Sequence, residues 1–227
     1  ILNFYDNDEM ETVADRAIAD ICKNMDEKGY FNSHFLVTGE RFTVRNEHEL
    51  YCAGHLMEAA VAYYKSTGKR ALLDAMCKYA DYIEAVFVKE QSAAFVTPGH
   101  PEIELALVKL YEATGEKRYL ELSKFFIDNH GANEKDKELY PGCHLLYNQD
   151  EKPIRERDTV DGHCVRALYL LSGAADIALL YNDKDLADAA ERCFNNVVNK
   201  RMYITGATGS TCHGESFTID YDLPDRD

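Results

Sequence analysis

The amino-acid sequence predicts an all-α fold in which helical hairpins stand side by side and form an α/α toroid. Three observations lead to this prediction. Apolar residues recur with the 3.6-residue period of an α-helix in almost every segment up to residue 200. The helices come in pairs that resemble one another, which is typical of folds built from repeated hairpins. No segment before residue 200 has the alternating pattern of a β-strand.

Each element is recognised by its apolar stripe and by the residues that end it. The first helix, residues 8–25, stops before Gly29. Six further helical segments follow it: 55–68, 70–87, 101–115, 117–131, 162–181 and 184–200. A long polar connection, residues 131–159, precedes the last hairpin and is predicted to be a functional or mobile loop. Residues 202–227 are rich in Gly, Thr and Ser and form a predicted active-site loop segment.

The hairpins share a short sequence signature at their turns. The segments YYKSTGKRALLD and LYEATGEKRYLE both run from an aromatic residue through Thr-Gly and basic residues to Leu, and LLYNDKDLADAA is a looser third copy. Repeated helix pairs form either an open solenoid or a closed toroid. The Gly-His pairs of the hairpins are spaced unevenly, by about 45 and about 63 residues, which favours the toroid. A closed toroid needs more helices than these, so we expect the single domain of residues 1–227 to be incomplete.

Composition and charge argue against several classes of protein. The 227 residues are 46% hydrophobic, which is enough for a globular core. A net charge of −15 argues against nucleic-acid binding, which needs clustered Lys and Arg. No run approaches the ~18–20 consecutive apolar residues of a membrane span, and the first residues lack the features of a signal peptide. We therefore expect a cytoplasmic protein, with the periplasm as the alternative if a signal peptide has been removed.

Seven cysteines form an odd, scattered set without a CxxC pair. They are Cys22, Cys52, Cys77, Cys143, Cys164, Cys193 and Cys212. We expect buried thiols rather than a disulfide framework. Their spacing gives no support for a zinc site built from these cysteines alone.

A Gly-His pair occurs at what reads as the start of three hairpins, and its histidines are His55, His100 and His163. In an α/α toroid, equivalent helix ends converge on one mouth, so these side chains are candidates to share a pocket. A neutral imidazole can donate a hydrogen bond to a sugar hydroxyl or accept one from it. A helix N-terminus disfavours protonation of the imidazole. Ordinary capping or core roles remain the alternative for each histidine, and a three-histidine metal site stays open as well.

Glu215 is the candidate catalytic carboxylate. It lies in HGESF, within a Gly-rich loop and away from any helix face on which a solvated glutamate is expected. A carboxylate placed in this way is suited to general acid or base catalysis. In contrast, Glu102 and Glu104 follow a proline at a predicted helix start, where we expect them only to complement the helix dipole.

These motifs together resemble a known enzyme family. The segments NEHELYCAGHLMEAAVAYYKSTGKRALLD, PGHPEIELALVKLYEATGEKRYLELSKFFID, DGHCVRALYL and YITGATGSTCHGESFTIDYDLP are similar to glycoside hydrolase family 127, the β-L-arabinofuranosidase family, and to its relative family 146. The resemblance covers nearly the whole chain. It implies an (α/α)6 barrel followed by β-sandwich domains. It also implies hydrolysis of terminal β-L-arabinofuranosides with retention of configuration.

The resemblance further implies a role for each candidate residue. The acid/base of the family falls on Glu215, and its sugar-contacting histidines fall on His55, His100 and His163. The family's nucleophile is a cysteine thiolate held on zinc, whose ligands are three cysteines and one glutamate. That zinc motif would begin just beyond the stretch DYDLP, and no cysteine of this chain stands at a matching position, so no metal ligand is assigned in it.

The leading hypothesis is a glycosidase that acts on an arabinofuranose-containing oligosaccharide, with zinc bound by residues outside this chain. Two alternatives stay open, namely an α/α-barrel glycosidase for another sugar and a non-catalytic carbohydrate-binding or helical-repeat module. The sequence makes no prediction of the oligomeric state.

Overall fold

The computed structural model describes residue 2 and residues 4–225, and this part of the chain is almost entirely helical. The last two residues of the predicted loop segment 202–227 lie outside the described part. The helices are α1 (Asp8–Asn24), α2 (Phe35–Thr38), α3 (Glu49–Thr67), α4 (Ala71–Glu84), α5 (Ile103–Thr114), α6 (Lys117–Asn129), α7 (Glu134–Leu139), α8 (Cys143–Tyr147), α9 (Cys164–Tyr181) and α10 (Lys184–Asn196). Two short strands, β1 (Gly162–His163) and β2 (Ser216–Phe217), pair in antiparallel orientation.

The long helices form three consecutive hairpins, α3–α4, α5–α6 and α9–α10, as the repeats predict. Helices α3, α5 and α9 pack one against the next and form one row, and each also packs against the second helix of its own hairpin. Helix α1 packs on α4. The π-helical turns Ala85–Lys89 and Val197–Arg201 extend α4 and α10, so the second helices of two hairpins end in the same way.

The repeated turn signature has a direct structural cause. Gly68 and Gly115 follow α3 and α5 with φ of 74° and 77°, the left-handed conformation that ends a helix and that glycine adopts at little cost. The hydroxyls of Thr67 and Thr114 donate to the carbonyl four residues earlier and accept from the amide two residues later. In the looser third copy, Asn182 takes the left-handed position with φ of 51°.

The core lies between the row α3–α5–α9 and the second helices of the hairpins, α4, α6 and α10. Most of α5 is buried, and Ile103, Leu107 and Leu110 have no exposed surface. The largest apolar cluster joins α1, α3, α4, α5 and α6, and a second one joins α5, α6, α9 and α10. Truncation of one such side chain, as in Leu107→Ala, costs roughly 2–5 kcal/mol of stability. This core fixes the row α3–α5–α9, and the candidate site stands on that row.

The prediction that every Gly-His pair opens a helix is wrong for Gly54-His55. Helix α3 begins at Glu49, so His55 lies in its second turn, whereas His100 precedes α5 and His163 is the N-cap of α9. Glycine lowers helix propensity and therefore reads as a boundary. Here it is retained inside the helix because a neighbouring side chain occupies the place where its Cβ would be.

The long connection 131–159 is not a structureless loop. It contains α7, α8 and a 3-10 turn at Ile154–Glu156. Asp136 on α7 is buried and accepts hydrogen bonds from the backbone amides of Val96 and Thr97. These contacts attach the connection to the segment that precedes α5, because a buried carboxylate needs such donors.

The expectation that the cysteines are buried is confirmed for only two of them. Cys164 and Cys193 are buried, whereas Cys52, Cys143 and Cys212 are exposed and Cys22 and Cys77 are half-buried. Burial was expected because cysteine behaves as a small apolar residue. A cysteine can nevertheless lie on the solvent-facing side of an amphipathic helix or in a surface turn. No disulfide joins any of them.

Helix α9 is the one helix among residues 4–225 that is long and apolar enough to cross a bilayer, judged by length and composition alone. It contains Arg166 and Asp176, so it is not an uninterrupted apolar run. In the fold it packs against α5, α6 and α10, and core helices of this kind pass the same composition test.

Candidate active site

The four predicted site residues lie together at one end of the α3–α5–α9 row. The ring of Tyr51 lies 4.4 Å from the rings of both His55 and His100, measured between centroids. The rings of His100 and His163 are 5.5 Å apart, and Nε2 of His163 lies 2.9 Å from Oε2 of Glu215. Residues that are far apart in sequence therefore form one continuous cluster.

Two-strand pairing brings Glu215 to this cluster. Strand β1 ends at His163, which pairs with Ser216, so the residue before Ser216 lies beside the N-cap of α9. The amide of Cys164 donates to the Glu215 carbonyl over 2.9 Å. A loop carboxylate is thus tied to the first turn of a core helix.

The backbone of Glu215 is in the left-handed region, with φ of 48°. This conformation is uncommon for a residue other than glycine, and it costs conformational energy that contacts in the surrounding structure have to offset. Its amide donates to the carbonyl of Cys212, and its side chain is 72% exposed. A cavity of about 390 Å³ lies beside Glu215 and is also lined by Cys164 and Tyr203. The loop therefore holds the carboxyl group where a ligand can reach it.

His163 has a defined tautomer because its two ring nitrogens have different partners. Nδ1 accepts a hydrogen bond from the amide of Arg166 over 3.2 Å, so in the neutral ring the proton is on Nε2, which donates to Glu215. Burial lowers the pKa of His163, the charge of Arg166 lowers it further, and Glu215 opposes both effects. His163 is therefore a neutral donor that orients the carboxyl group of Glu215.

His100 has the opposite tautomer. Its Nδ1 lies 2.8 Å from the carbonyl oxygen of Pro101, which can only accept, so Nδ1 carries the proton and Nε2 is an acceptor. Burial lowers the pKa of His100 to about 4, so the ring is neutral near pH 7. The helix dipole was the expected cause of a neutral ring, whereas burial is the main cause of the lowered pKa of His100 and the charge of Arg166 adds to it.

Arg166 is a site residue that the sequence analysis missed. Its side chain is buried in the first turn of α9, and its Nη1 donates to the Gly99 carbonyl over 2.7 Å and to the side-chain oxygen of Asn148. Its guanidinium stacks 4.1 Å from the ring centroid of Tyr147. The sequence signal that could have identified it is an arginine among the apolar residues of a predicted helix, three residues after a candidate histidine.

Glu102 also lies in the site, contrary to the expectation that it only complements a helix dipole. It is completely buried, and its Oε1 lies 3.4 Å from Nδ1 of His55. Oε2 of Glu58 lies 3.6 Å from the same nitrogen. Burial raises the pKa of Glu102 to about 10, and Glu58 adds to this effect. Burial likewise raises the pKa of Glu104 to about 7.

The trio His55, Glu58 and Glu102 is the one group of three potential metal ligands that residues 2 and 4–225 bring within range of a single ion. The three-histidine metal site that the sequence left open is not formed by these residues. No set of three cysteines with a glutamate is formed in the described part of the chain either.

Comparison with known proteins bears out the fold and gives the family. Residues 1–227 match the family model for the β-L-arabinofuranosidase GH127 catalytic domain. The chain is 40% identical over 243 aligned positions to a non-reducing-end β-L-arabinofuranosidase of Bifidobacterium longum subsp. longum, covering 98% of this chain and 37% of that protein. The structure resembles a crystal structure of a GH127 β-L-arabinofuranosidase from Geobacillus stearothermophilus T6, with a TM-score of 0.92 and 43% sequence identity. The match covers 99% of this chain and 38% of the Geobacillus chain. A second GH127 β-arabinofuranosidase structure has TM-score 0.88, 34% identity, and coverage of 97% and 35%.

The fold and the site thus define an α/α-toroid domain with a carboxyl–imidazole cluster at one end of its helical row, and the predicted all-α toroid is confirmed. More specifically, the chain belongs to the GH127 catalytic-domain family of β-L-arabinofuranosidases. It spans a little over a third of the length of the relatives it matches.

Proposed function

We propose that the protein to which this chain belongs is a glycoside hydrolase that releases terminal β-L-arabinofuranose from oligosaccharides with retention of configuration. In this proposal Glu215 is the general acid and base, and His55, His100 and His163 contact the sugar. The observation that carries the proposal is the hydrogen bond between His163 and Glu215, which ties a reachable carboxyl group to a ring that itself lies 5.5 Å from the ring of His100.

The side chains of the cluster are suited to a neutral polyol. His100 offers an acceptor nitrogen, and the rings of Tyr51 and Tyr169 stand beside His55 and His100 as apolar surfaces against which a sugar face can pack. As an acid, Glu215 gives its proton to the glycosidic oxygen while the bond to the anomeric carbon breaks. As a base, it then takes a proton from the attacking water.

The nucleophile and its zinc remain a proposal for the whole protein. The resemblance calls for three cysteines and a glutamate around one ion, and the described residues do not provide that set, since their one group of potential ligands contains no cysteine. We therefore propose that zinc is bound by residues outside this chain. When bound to zinc, a thiol has a lowered pKa and is a better nucleophile.

Two further properties belong to the same proposal. The exposed thiols of Cys52 and Cys143 are compatible with a reducing compartment, so we propose the cytoplasm. The net charge of −15 argues against a nucleic-acid partner, and the oligosaccharide partner is proposed from the family.

The test is Glu215→Gln in the full-length protein. Turnover of an alkyl β-L-arabinofuranoside, which needs protonation of its leaving group, should fall by roughly 10²–10⁴-fold. A nitrophenyl glycoside should be affected less in its first step, and added azide should restore turnover and give a β-L-arabinofuranosyl azide. Affinity for L-arabinose should change little, because Gln keeps the size and hydrogen-bonding capacity of the side chain.

Glu138→Gln is the matched control, because Glu138 is exposed on α7 and outside the site. Full turnover of the alkyl glycoside by the Glu215 variant would show that this carboxyl group is not the acid/base. A wild-type protein that binds L-arabinose and hydrolyses no arabinofuranoside would favour the non-catalytic carbohydrate-binding module. Hydrolysis of other glycosides only would favour the glycosidase for another sugar.

A further inference from the structure

A buried carboxyl group lies directly behind His55. Glu102 precedes α5 and has no exposed surface. Its Oε2 lies only 1.4 Å from the place where a Cβ on residue 54 would be, so the carboxyl group fits against α3 only because residue 54 is glycine. Its Oε1 lies 3.4 Å from Nδ1 of His55. The glycine of the Gly-His motif therefore provides the space for a carboxyl group that faces the histidine of the same motif.

The ionised form of Glu102 has no adequate partners. Among the described residues, no donor forms a hydrogen bond with either carboxylate oxygen. Glu58 lies on the neighbouring turn of α3, and its Oε1 is already paired with the ammonium group of Lys109. A buried, unpaired carboxylate beside another carboxylate is costly, and the cost is removed when one of the two binds a proton.

The charges around the pair decide which carboxyl group holds the proton. Glu58 is partly exposed and has Lys109 as its counter-ion, whereas Glu102 is buried and also lies near the carboxyl group of Glu104 in the first turn of α5. Burial acts to raise the pKa of Glu58, but hydrogen bonds from Glu102 and Lys109 bring it below its usual value. Glu58 is therefore the carboxylate, and Glu102 is the neutral acid that donates to it.

We propose that Glu102 is a positioning residue that acts through His55. Its acidic hydrogen is directed at Glu58, and its remaining oxygen accepts from Nδ1–H of His55. His55 then keeps an unprotonated Nε2, which is the atom that accepts a hydrogen bond from a hydroxyl group of the sugar. The inference rests on the proposed function, because it needs His55 to contact a sugar. The 3.4 Å contact is long for a hydrogen bond, and contacts of this type shorten when a ligand binds.

The kinetic test compares Glu102→Gln and Glu102→Met in the full-length protein with a nitrophenyl β-L-arabinofuranoside. The amide of Gln can donate to Glu58 and accept from His55, so this variant should keep kcat and KM within about twofold of the wild-type values. Met fills the same space without either hydrogen bond, so KM should rise about tenfold, with a smaller change in kcat. Glu112→Gln and Glu112→Met are the matched controls, because Glu112 is exposed on α5, the helix that begins directly after Glu102.

Two kinetic outcomes would overturn the proposal. A Met variant with wild-type constants would mean that the carboxyl group only fills space. A Gln variant that is as impaired as the Met variant would mean that a charged carboxylate is needed. Metal content gives a third outcome, because one bound divalent ion fewer in Glu102→Gln than in the wild type would assign the trio to a cation instead of a proton.

The tautomer of His55 tests the inference without relying on hydrolysis. In ¹⁵N-histidine NMR spectra, the His55 signal is assigned by its loss in His55→Gln. The wild type and Glu102→Gln should carry the proton on Nδ1, and a proton on Nε2 in the wild type would refute the inference. If the wild type hydrolyses no arabinofuranoside, the proposed function has failed, while this spectrum still decides the role of Glu102. The spectrum also decides it if the Met variant does not fold.

Discussion

The two ring nitrogens of His163 have different partners, so substitutions at this position should separate helix capping from catalysis. Nδ1 caps α9 by accepting from the amide of Arg166, and Nε2 donates to Glu215. His163→Asn keeps a side-chain oxygen at the capping position, where Asn is among the preferred residues, but it is too short to reach Glu215. His163→Ala removes both contacts.

The structure gives the expected size of each loss. The cap contributes about 1 kcal/mol, which corresponds to about a fivefold change in the opening equilibrium of the first turn of α9. A hydrogen bond to a charged group contributes about 1.5–3 kcal/mol. Because the side chain of Glu215 is 72% exposed, solvent offsets part of this contribution, and we expect about a tenfold fall in kcat.

Hydrogen exchange and kinetics of the full-length protein measure the two losses separately. Amide exchange in residues 164–168, followed by mass spectrometry, should be unchanged in His163→Asn and about fivefold faster in His163→Ala. Both variants should show the tenfold loss of kcat. Full activity of His163→Asn would refute the orienting role of Nε2, and unchanged exchange in His163→Ala would refute the capping role of Nδ1.

Three further predictions concern packing and pH. Gly54→Ala places a methyl carbon 1.4 Å from Oε2 of Glu102. The melting temperature should therefore fall by the equivalent of about 2 kcal/mol, despite the better helix propensity of Ala. A higher melting temperature would contradict the close packing of Glu102 against Gly54. Burial lowers the pKa of His100 to about 4 from its ordinary 6.5. The free energy of unfolding should therefore decrease as the pH falls from 6.5 to 4, by up to about 1.4 kcal/mol per pH unit. In thermal melting, His100→Gln should remove this part of the pH dependence. Hydrogen bonds, first from Lys200, lower the pKa of Asp220 to about 2. The stabilisation that the ionised Asp220 provides is therefore present above pH 4 and is lost towards pH 2. Asp220→Asn should have a lower melting temperature at pH 6, and its melting temperature should depend less on pH in the acid range.

The hairpin architecture was predictable because local signals and tertiary structure agree. The Thr-Gly turns placed the helix ends within one residue of Thr67 and Thr114, since the left-handed residue that follows each helix has to be a glycine or a near substitute. The start of α3 was not predictable in the same way. In the sequence, Gly54 indicates a helix boundary. The structure explains the glycine differently: the carboxyl group of Glu102, which comes just before the first helix of the next hairpin, occupies the place where a Cβ would be.

The candidate site was predictable as a set of residues and not as a network. Matching positions in the repeats identified His55, His100 and His163, and the position of Glu215 in a Gly-rich loop away from any helix face identified this glutamate. The tautomers of the histidines depend on single backbone atoms, such as the Pro101 carbonyl beside His100, and no sequence pattern encodes those positions. The buried acid behind His55 was missed because a glutamate at a predicted helix start has an adequate explanation on the surface.

Buried arginines hold the loop segments from which this site is built. Arg45 donates to the carbonyls of Thr97 and Pro98 in the segment before α5 and forms an ion pair with Asp150. Arg201, in the π-helical turn after α10, donates to backbone carbonyls on both sides of the β1–β2 pair. Loop backbone that becomes buried must find donors for its carbonyl oxygens, and away from their first turns the helices have no free backbone N–H groups.

Arg166 completes this arrangement at the centre of the site, where it reaches the Gly99 carbonyl next to His100 and the side chain of Asn148. The guanidinium group carries five N–H donors in a rigid plane and stays charged when buried, so one side chain can satisfy oxygens from two or three segments. An ammonium group cannot span them in that geometry. The same charge helps to keep His100 and His163 neutral, which preserves their roles as acceptor and donor. The residues that hold the loops in place therefore also set the protonation state of the candidate sugar-binding histidines.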